Sequence, residues 1–137
     1  MFRPVVIVLW IAVSGACGST AEAAPPVKGD PRAAELTRWN AAKPVLEKYC
    51  ARCHRQGGNA VTKRKLGHFD MTSYPPGGHH AKTIGVTVGS VLGLSGKKPR
   101  MPADKPGALA GDELALVKAW TDAWVGADKA GAHAASP

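Results

Sequence analysis

Residues 50–54 read Cys50-Ala51-Arg52-Cys53-His54 (CARCH), with two cysteines three positions apart and a histidine directly after the second. Residues three and four apart on a helix share a face, so Cys50, Cys53 and His54 can all point the same way. Three kinds of site use such a triplet: a covalent haem attachment, half of a zinc site, and a redox-active dithiol. The rest of the sequence has to discriminate among them.

The residues before CARCH carry a helical pattern. Asp30 followed by Pro31 predicts a helix N-terminus, because aspartate caps helices and proline fits the first turn. Pro44 is predicted to kink this helix or to begin a second one, and Cys50 lies at the helix end. The apolar residues that recur near a 3.6-residue period are Leu36, Trp39, Val45, Leu46 and Tyr49.

The residues after CARCH predict long loops and two more helices. Residues 55–82 are rich in glycine, proline, histidine and charge, which predicts a loop that some other group must organise. No alternating strand pattern and no internal repeat occurs, so the predicted fold class is all-α with long loops. A short helix has the apolar face Ile84, Val88, Val91 and Leu92, and a last helix at about 112–124 has Leu116, Val117, Trp120 and Trp124.

The N-terminal residues predict a signal peptide. Arg3 is followed by an apolar run at Val5–Val13, and Ala21-Glu22-Ala23 fits an A-x-A cleavage site. The run is much shorter than the roughly 20 apolar residues of a membrane span, which is the alternative. The predicted organisation is a signal peptide at 1–24, a linker at 25–30, one domain at 31–125 and a disordered tail at 126–137. His133 lies in that tail and is assigned no role.

Cys17 leaves one alternative for the location. A cysteine after an apolar run and small residues can be lipidated, which would anchor the exported protein to the membrane. Ser14 stands where bacterial lipoproteins usually have leucine, so the favoured interpretation is a protein free in the periplasm. In that case Cys17 is removed with the signal, and only Cys50 and Cys53 remain.

The context favours haem over zinc or a dithiol. A zinc site would need the two cysteines and two of His68, His79 and His80, yet zinc histidines normally stand roughly three to five residues apart. Here His79 and His80 are adjacent, and His68 is 11 positions before His79. Such a zinc site also leaves His54 unused. A dithiol of this spacing normally lies in a βαβ context, which the pattern lacks. C-x-x-C-H is the attachment signal of c-type haem, and histidine is a common iron ligand.

A haem attached at CARCH would leave a second axial position on the iron. Met101 is the predicted ligand there, because the prolines of Lys98-Pro99-Arg100-Met101-Pro102 stiffen the backbone in a polar context. His79 or His80 is the alternative, which would give bis-histidine ligation. Met71 is predicted to be a buried or loop residue.

Three segments, in this order, resemble the single-haem class I c-type cytochromes of exported bacterial proteins. They are CARCH at a helix end, Arg100-Met101-Pro102-Ala103 as the distal loop, and Leu109–Trp120 as the C-terminal helix. The resemblance spans most of the mature chain. It implies a cytochrome c-like domain of three to five short helices, with long loops wrapped around one covalent haem c.

The resemblance also implies the roles of individual residues. Cys50 and Cys53 would form the haem thioethers, and His54 and Met101 would be the axial iron ligands. The first and last helices would pack together, through Leu46 or Tyr49 against Val117 or Trp120.

A haem with histidine and methionine on its two faces has no open position for a substrate. The expected function is therefore electron transfer rather than catalysis, as a periplasmic shuttle or a haem subunit of a respiratory complex. The alternatives are a haem sensor or enzyme with a labile distal ligand, and a zinc-stapled exported binding module.

The net charge of +8 bears on the partners. Basic clusters at Lys63–Lys65 and at Lys97, Lys98 and Arg100 would lie near the haem faces, which predicts acidic redox partner proteins. Export disfavours nucleic acid as a partner, and the chain is expected to be a monomer.

Overall fold

The computed structural model describes residues 29–133, and within this range the elements are helical. They are α1 (Pro31–His54), α2 (Lys63–His68), a short 3-10 turn (Ala81–Thr83), α3 (Ile84–Val91) and α4 (Gly111–Lys129). No strand forms among these residues, which confirms the all-α class. None of the described helices combines the length and apolar character that a bilayer span requires. The predicted signal peptide, Cys17 and positions 134–137 lie outside the described residues.

Helix α1 begins where the sequence predicts and continues through Pro44. The Asp30 carboxylate accepts a hydrogen bond from the Arg32 backbone N–H at 2.8 Å, and Pro31 occupies the first turn. Pro44 and Asn40 are both exposed, so water can satisfy the Asn40 carbonyl that proline leaves without a helical donor. No second helix begins at Pro44, and one helix extends to His54.

Helices α1 and α4 pack against each other and form the core. The rings of Trp39 and Trp120 are 5.0 Å apart between centroids. Leu46 and Val117 are fully buried in the same cluster, and Tyr49 packs against it. The predicted pairing of the first and last helices is therefore present, and it orients the C-terminal end of α1.

Glu113 joins the same two helices at the surface. Lys48 Nζ donates to Glu113 Oε1 at 2.8 Å, and the Tyr49 hydroxyl donates to Oε2 at 2.7 Å. The hydrogen bond from Lys48, followed by the bond from Tyr49, lowers the pKa of Glu113. These bonds hold α4 next to the turn of α1 that carries Cys50.

The buried face of α1 differs from the predicted one at its first position. Leu36 is 44 % exposed, whereas Glu35 is 0 % exposed. The Tyr74 hydroxyl donates a hydrogen bond to Glu35 Oε1, and His133 Nε2 lies 2.6 Å from Oε2. A buried carboxyl group is tolerated only when it has such partners, and both partners are distant in sequence.

These contacts correct the predicted tail. Helix α4 extends to Lys129, well beyond position 126, and Ala127 is 1 % exposed. The ring of His133 packs 4.1 Å from that of Trp124 and contacts Glu35. The end of the described chain is therefore held by the burial of Ala127 and by the contact of His133 with the Glu35 carboxyl group, so His133 has a structural role.

The segment after α1 is held by its own hydrogen bonds and by α2. Thr62 caps α2 by accepting from the Lys65 N–H at 3.2 Å, and this short helix was missed because its six residues are too few to show a period. The Met71 N–H donates to the His54 carbonyl at 2.7 Å, which returns the chain to the end of α1. Residues 55–82 thus close over one side of CARCH.

The contact between α3 and α4 depends on a glycine. A Cβ atom at Gly85 would lie 2.7 Å from the Cβ, Cγ and Cδ1 atoms of Trp124. We expect Gly85→Ala to lower the free energy of unfolding by about 1–3 kcal/mol, because the helices would have to separate. Urea unfolding measures the effect.

The matched control is Gly126→Ala in α4, where a new Cβ meets nothing within 4 Å. Alanine is the better helix former by about 0.5–1 kcal/mol, so this variant should be neutral or more stable. Equal effects of the two substitutions would contradict the close packing at Gly85.

Candidate functional site

A cavity of about 1030 Å³ lies at the C-terminal end of α1. This volume is at the upper end of the roughly 300–1,000 Å³ of ordinary small-molecule sites. Cys50, Cys53 and His54 all line it, and so does Met101 from the segment between α3 and α4. The structure therefore brings together the four residues that the sequence predicts as one site.

The two cysteines are free thiols, and both are partly buried. Burial, followed by the charge of Cys53, raises the pKa of Cys50 to about 12. Cys50 is therefore a protonated thiol at neutral pH. A redox-active dithiol would instead need an attacking thiolate, whose pKa is lowered.

The ring of His54 is fixed by backbone carbonyl groups. Its Nδ1 lies 3.1 Å from the Lys65 carbonyl oxygen and 3.0 Å from the Phe69 carbonyl oxygen. Because carbonyl oxygens only accept, Nδ1 carries a proton, and in the neutral ring the lone pair lies on Nε2. A histidine that donates its other ring N–H in this way is the usual form of a metal ligand.

The carbonyl groups come from α2 and from the residue after it. The Lys65 carbonyl also accepts the Phe69 N–H at 3.1 Å, at the end of α2. Helix α2 thus orients His54 through its backbone. This positioning was not foreseen, because it depends on how the loop folds back.

Met101 is held by the end of α3. The N–H groups of Arg100 and Met101 both donate to the Val91 carbonyl, at 2.8 and 3.1 Å. Met101 is partly buried, and Pro102 beside it is buried. Met71, by contrast, is 7 % exposed in the core and does not line the cavity.

The walls of the cavity are apolar where α3 passes. Ile84, Val88 and Leu92 line it at four-residue spacing, and Phe69 lines it from the end of α2. The apolar face predicted for α3 is therefore a wall of the site. Phe69 was not predicted, since a lone aromatic residue in a polar loop has no periodic context.

Basic side chains lie around the opening. Arg52, Arg64, Lys65 and Arg100 line the cavity, and Arg52 forms an ion pair with Asp104 at 3.4 Å. Lys65 makes its contacts within the site, because its Nζ donates to the Ala60 carbonyl at 2.6 Å and lies 3.6 Å from Cys53 Sγ. Arg52, inside CARCH, was not predicted as a surface residue of the site.

The three loop histidines lie together beside the cavity. His68 and His80 line it, whereas His79 does not. Within residues 29–133, the one group of three or more possible metal-binding side chains consists of these histidines and includes neither cysteine. Among the described residues, Cys50 and Cys53 therefore do not share one cluster with these histidines, as the zinc alternative would need.

Comparisons with known proteins do not assign a family or a function to this chain. The function is therefore inferred from the sequence motif and from the geometry of the cavity. No protein-family model, no curated protein and no solved structure matches this chain.

Proposed function

We propose that the cavity holds one covalently attached haem c and that the protein is an electron-transfer protein. The observation that carries the proposal is His54. Two carbonyl groups hold its proton on Nδ1, so Nε2 is available as an iron ligand. The two free thiols of the C-x-x-C-H motif and the thioether of Met101 line the same cavity.

The residues present fit this group. The cavity is large and its walls are apolar along α3, as a flat macrocycle requires. Cys50 and Cys53 are neither paired in a disulfide nor joined to the histidine cluster, so both are available to form thioethers. Their position on the last turn of α1 gives them the same face as His54.

His54 and Met101 would be the two axial ligands. A haem bound there supplies one-electron chemistry through its iron. The carbonyl groups of Lys65 and Phe69 would keep the imidazole in one orientation, since both accept from Nδ1. Met101 would exclude water and small ligands from the other face and favour the reduced state, which is typical of an electron carrier.

His79 and His80 are less suited than Met101 to be the second axial ligand. His79 Nε2 lies 3.1 Å from Nδ1 of His68, so it is engaged within the histidine cluster, and His79 does not line the cavity. The ring of His80 packs 4.1 Å from that of His79. Met101 lines the cavity, and the Val91 carbonyl holds its backbone there.

Partners would dock at the basic surface. Arg64, Lys97, Lys98 and Arg100 are exposed, and Arg64 and Arg100 line the cavity. An acidic reductase or oxidase would be attracted to this side, in fast encounters that salt weakens. We propose the periplasm as the location and a monomer as the working form, from the predicted signal peptide and the size of the chain.

The test is to express the full chain, with its N-terminal signal, in a host that matures c-type cytochromes. We expect a red protein whose colour remains with the polypeptide after acid-acetone extraction, because thioether bonds survive this treatment. The double variant Cys50→Ala/Cys53→Ala should lose all covalent colour.

The matched control is Cys17→Ser, which changes the cysteine outside the motif and should keep the covalent haem. Colourless wild-type protein, or haem that acid-acetone removes from it, would refute the proposal. If the haem is covalent, reversible oxidation and reduction without turnover of small substrates would identify an electron carrier rather than a haem enzyme.

A further inference from the structure

We propose that His68, His79 and His80 form a second site, which binds a divalent transition-metal ion. The ions concerned are those that imidazole ligands prefer, Zn²⁺ and Cu²⁺. The site uses none of Cys50, Cys53, His54 and Met101, although His68 and His80 also line the cavity proposed to hold haem. It also differs from the zinc alternative considered for CARCH, because it needs no cysteine.

The distances within the cluster suit a metal ion. One ring nitrogen from each histidine can be chosen so that all three lie within 4.8 Å of one another. His68 Nδ1 and His79 Nε2 are 3.1 Å apart in a hydrogen bond, whose proton a bound ion would replace. Two nitrogens bound at about 2.0–2.1 Å to one ion lie roughly 2.9–3.4 Å apart, so this pair already has the spacing of a shared ligand edge.

The imidazole of His80 is near enough to be the third ligand. The ring centroid of His80 is 4.1 Å from that of His79 and 5.8 Å from that of His68. Because one ring nitrogen of each histidine lies within 4.8 Å of the others, a small rotation of these side chains would bring the third nitrogen into range. With three protein nitrogens bound, water would fill the remaining coordination positions of the ion.

The backbone holds the histidines together without the help of an ion. His68 is the last residue of α2, and the His79 N–H donates to the Gly67 carbonyl at 2.8 Å. Gly78 has φ +97°, and a Cβ there would lie 2.9 Å from the backbone of His68. Only glycine allows the chain at position 78 to pass this close to the backbone of His68. The backbone of residues 67–80 therefore places the imidazoles side by side.

The cluster is open to solvent. His68 and His79 are exposed, so an ion can reach the cluster from solvent.

The experiment is a calorimetric titration of the purified protein, with any prosthetic group it carries, using Zn²⁺ and Cu²⁺ separately. We expect saturable binding of one ion per chain, and nitrogen hyperfine structure in the EPR spectrum of the bound Cu²⁺. His79→Gln and His68→Gln should each weaken binding by about tenfold or more, because each removes one of three protein ligands.

The matched control is Lys82→Gln, an exposed residue beside the cluster that is not a ligand, which should leave the affinity unchanged. Absence of saturable binding would overturn the site, and so would equal binding by wild type and both histidine variants. The absorption spectrum of His79→Gln should match that of wild type. A changed haem spectrum in this variant would show that the histidine serves the haem instead, and would also overturn the proposal.

Discussion

Replacing Met101 with alanine should open one face of the iron in the proposed haem. The ferric methionine-to-iron charge-transfer band should disappear, and the ferrous protein should bind carbon monoxide at neutral pH. The reduction potential should fall by on the order of 0.1 V or more, within the roughly 0.8 V that axial ligands span, because the thioether favours the reduced iron. Absorption spectroscopy and a redox titration measure these changes.

The control for this prediction is Met71→Ala. Met71 is 7 % exposed in the core and does not line the cavity. This variant should keep the charge-transfer band and the potential, while it loses about 2–5 kcal/mol of stability through the cavity that it creates. If the band persists in Met101→Ala, Met101 is not the ligand, and His80, which lines the same cavity, becomes the residue to replace.

Replacing Glu35 with alanine should cause a large loss of stability. The carboxyl group is fully buried, and it accepts from Tyr74 and contacts His133. Removing it leaves both partners without their buried hydrogen-bond partner, and each buried polar group left unsatisfied costs about 1–3 kcal/mol. Chemical denaturation of the purified protein measures the loss.

Glu47→Ala is the matched control on the same helix. Glu47 is partly exposed, and its ion pair with Arg55, at 3.1 Å, lies at the surface. Such pairs contribute about 0–1 kcal/mol, so this variant should be close to wild type. A loss in Glu35→Ala no larger than that in Glu47→Ala would show that the buried network does not hold residues 126–133 in place.

The network around Glu35 also explains an error in the sequence prediction. A glycine at position 126, followed by alanines and charges, is typical of a frayed end. The chain is ordered there because Glu35, almost a hundred positions earlier, needs a partner that His133 supplies. The helical period predicts a buried Leu36 rather than a buried Glu35. The period is read from apolar residues alone, so it does not identify a buried, hydrogen-bonded carboxyl group.

The histidines show the same limit in another way. Their sequence separations do not match the usual spacing of zinc ligands, and this argued against a shared site with the cysteines. The separations matter less once the segment turns at Gly78 and its backbone touches that of His68. The structure therefore supports a different site from the one that the sequence had disfavoured.

The sequence by itself determined the features that depend on neighbours along the chain. These are the cap of α1 at Asp30, the apolar face of α3, and the common direction of Cys50, Cys53 and His54 on one helical turn. Each follows from propensity and period over a few residues. The all-α class follows from the same local patterns.

Only the tertiary structure decided the features that join distant segments. It set the proton of His54 on Nδ1 by bringing up the Lys65 and Phe69 carbonyl groups, and it brought Met101 to the cavity that CARCH lines. It also paired Glu35 with His133. The physical reason is that a buried polar group takes whichever partner the packing brings near, and no local pattern in the sequence specifies that partner.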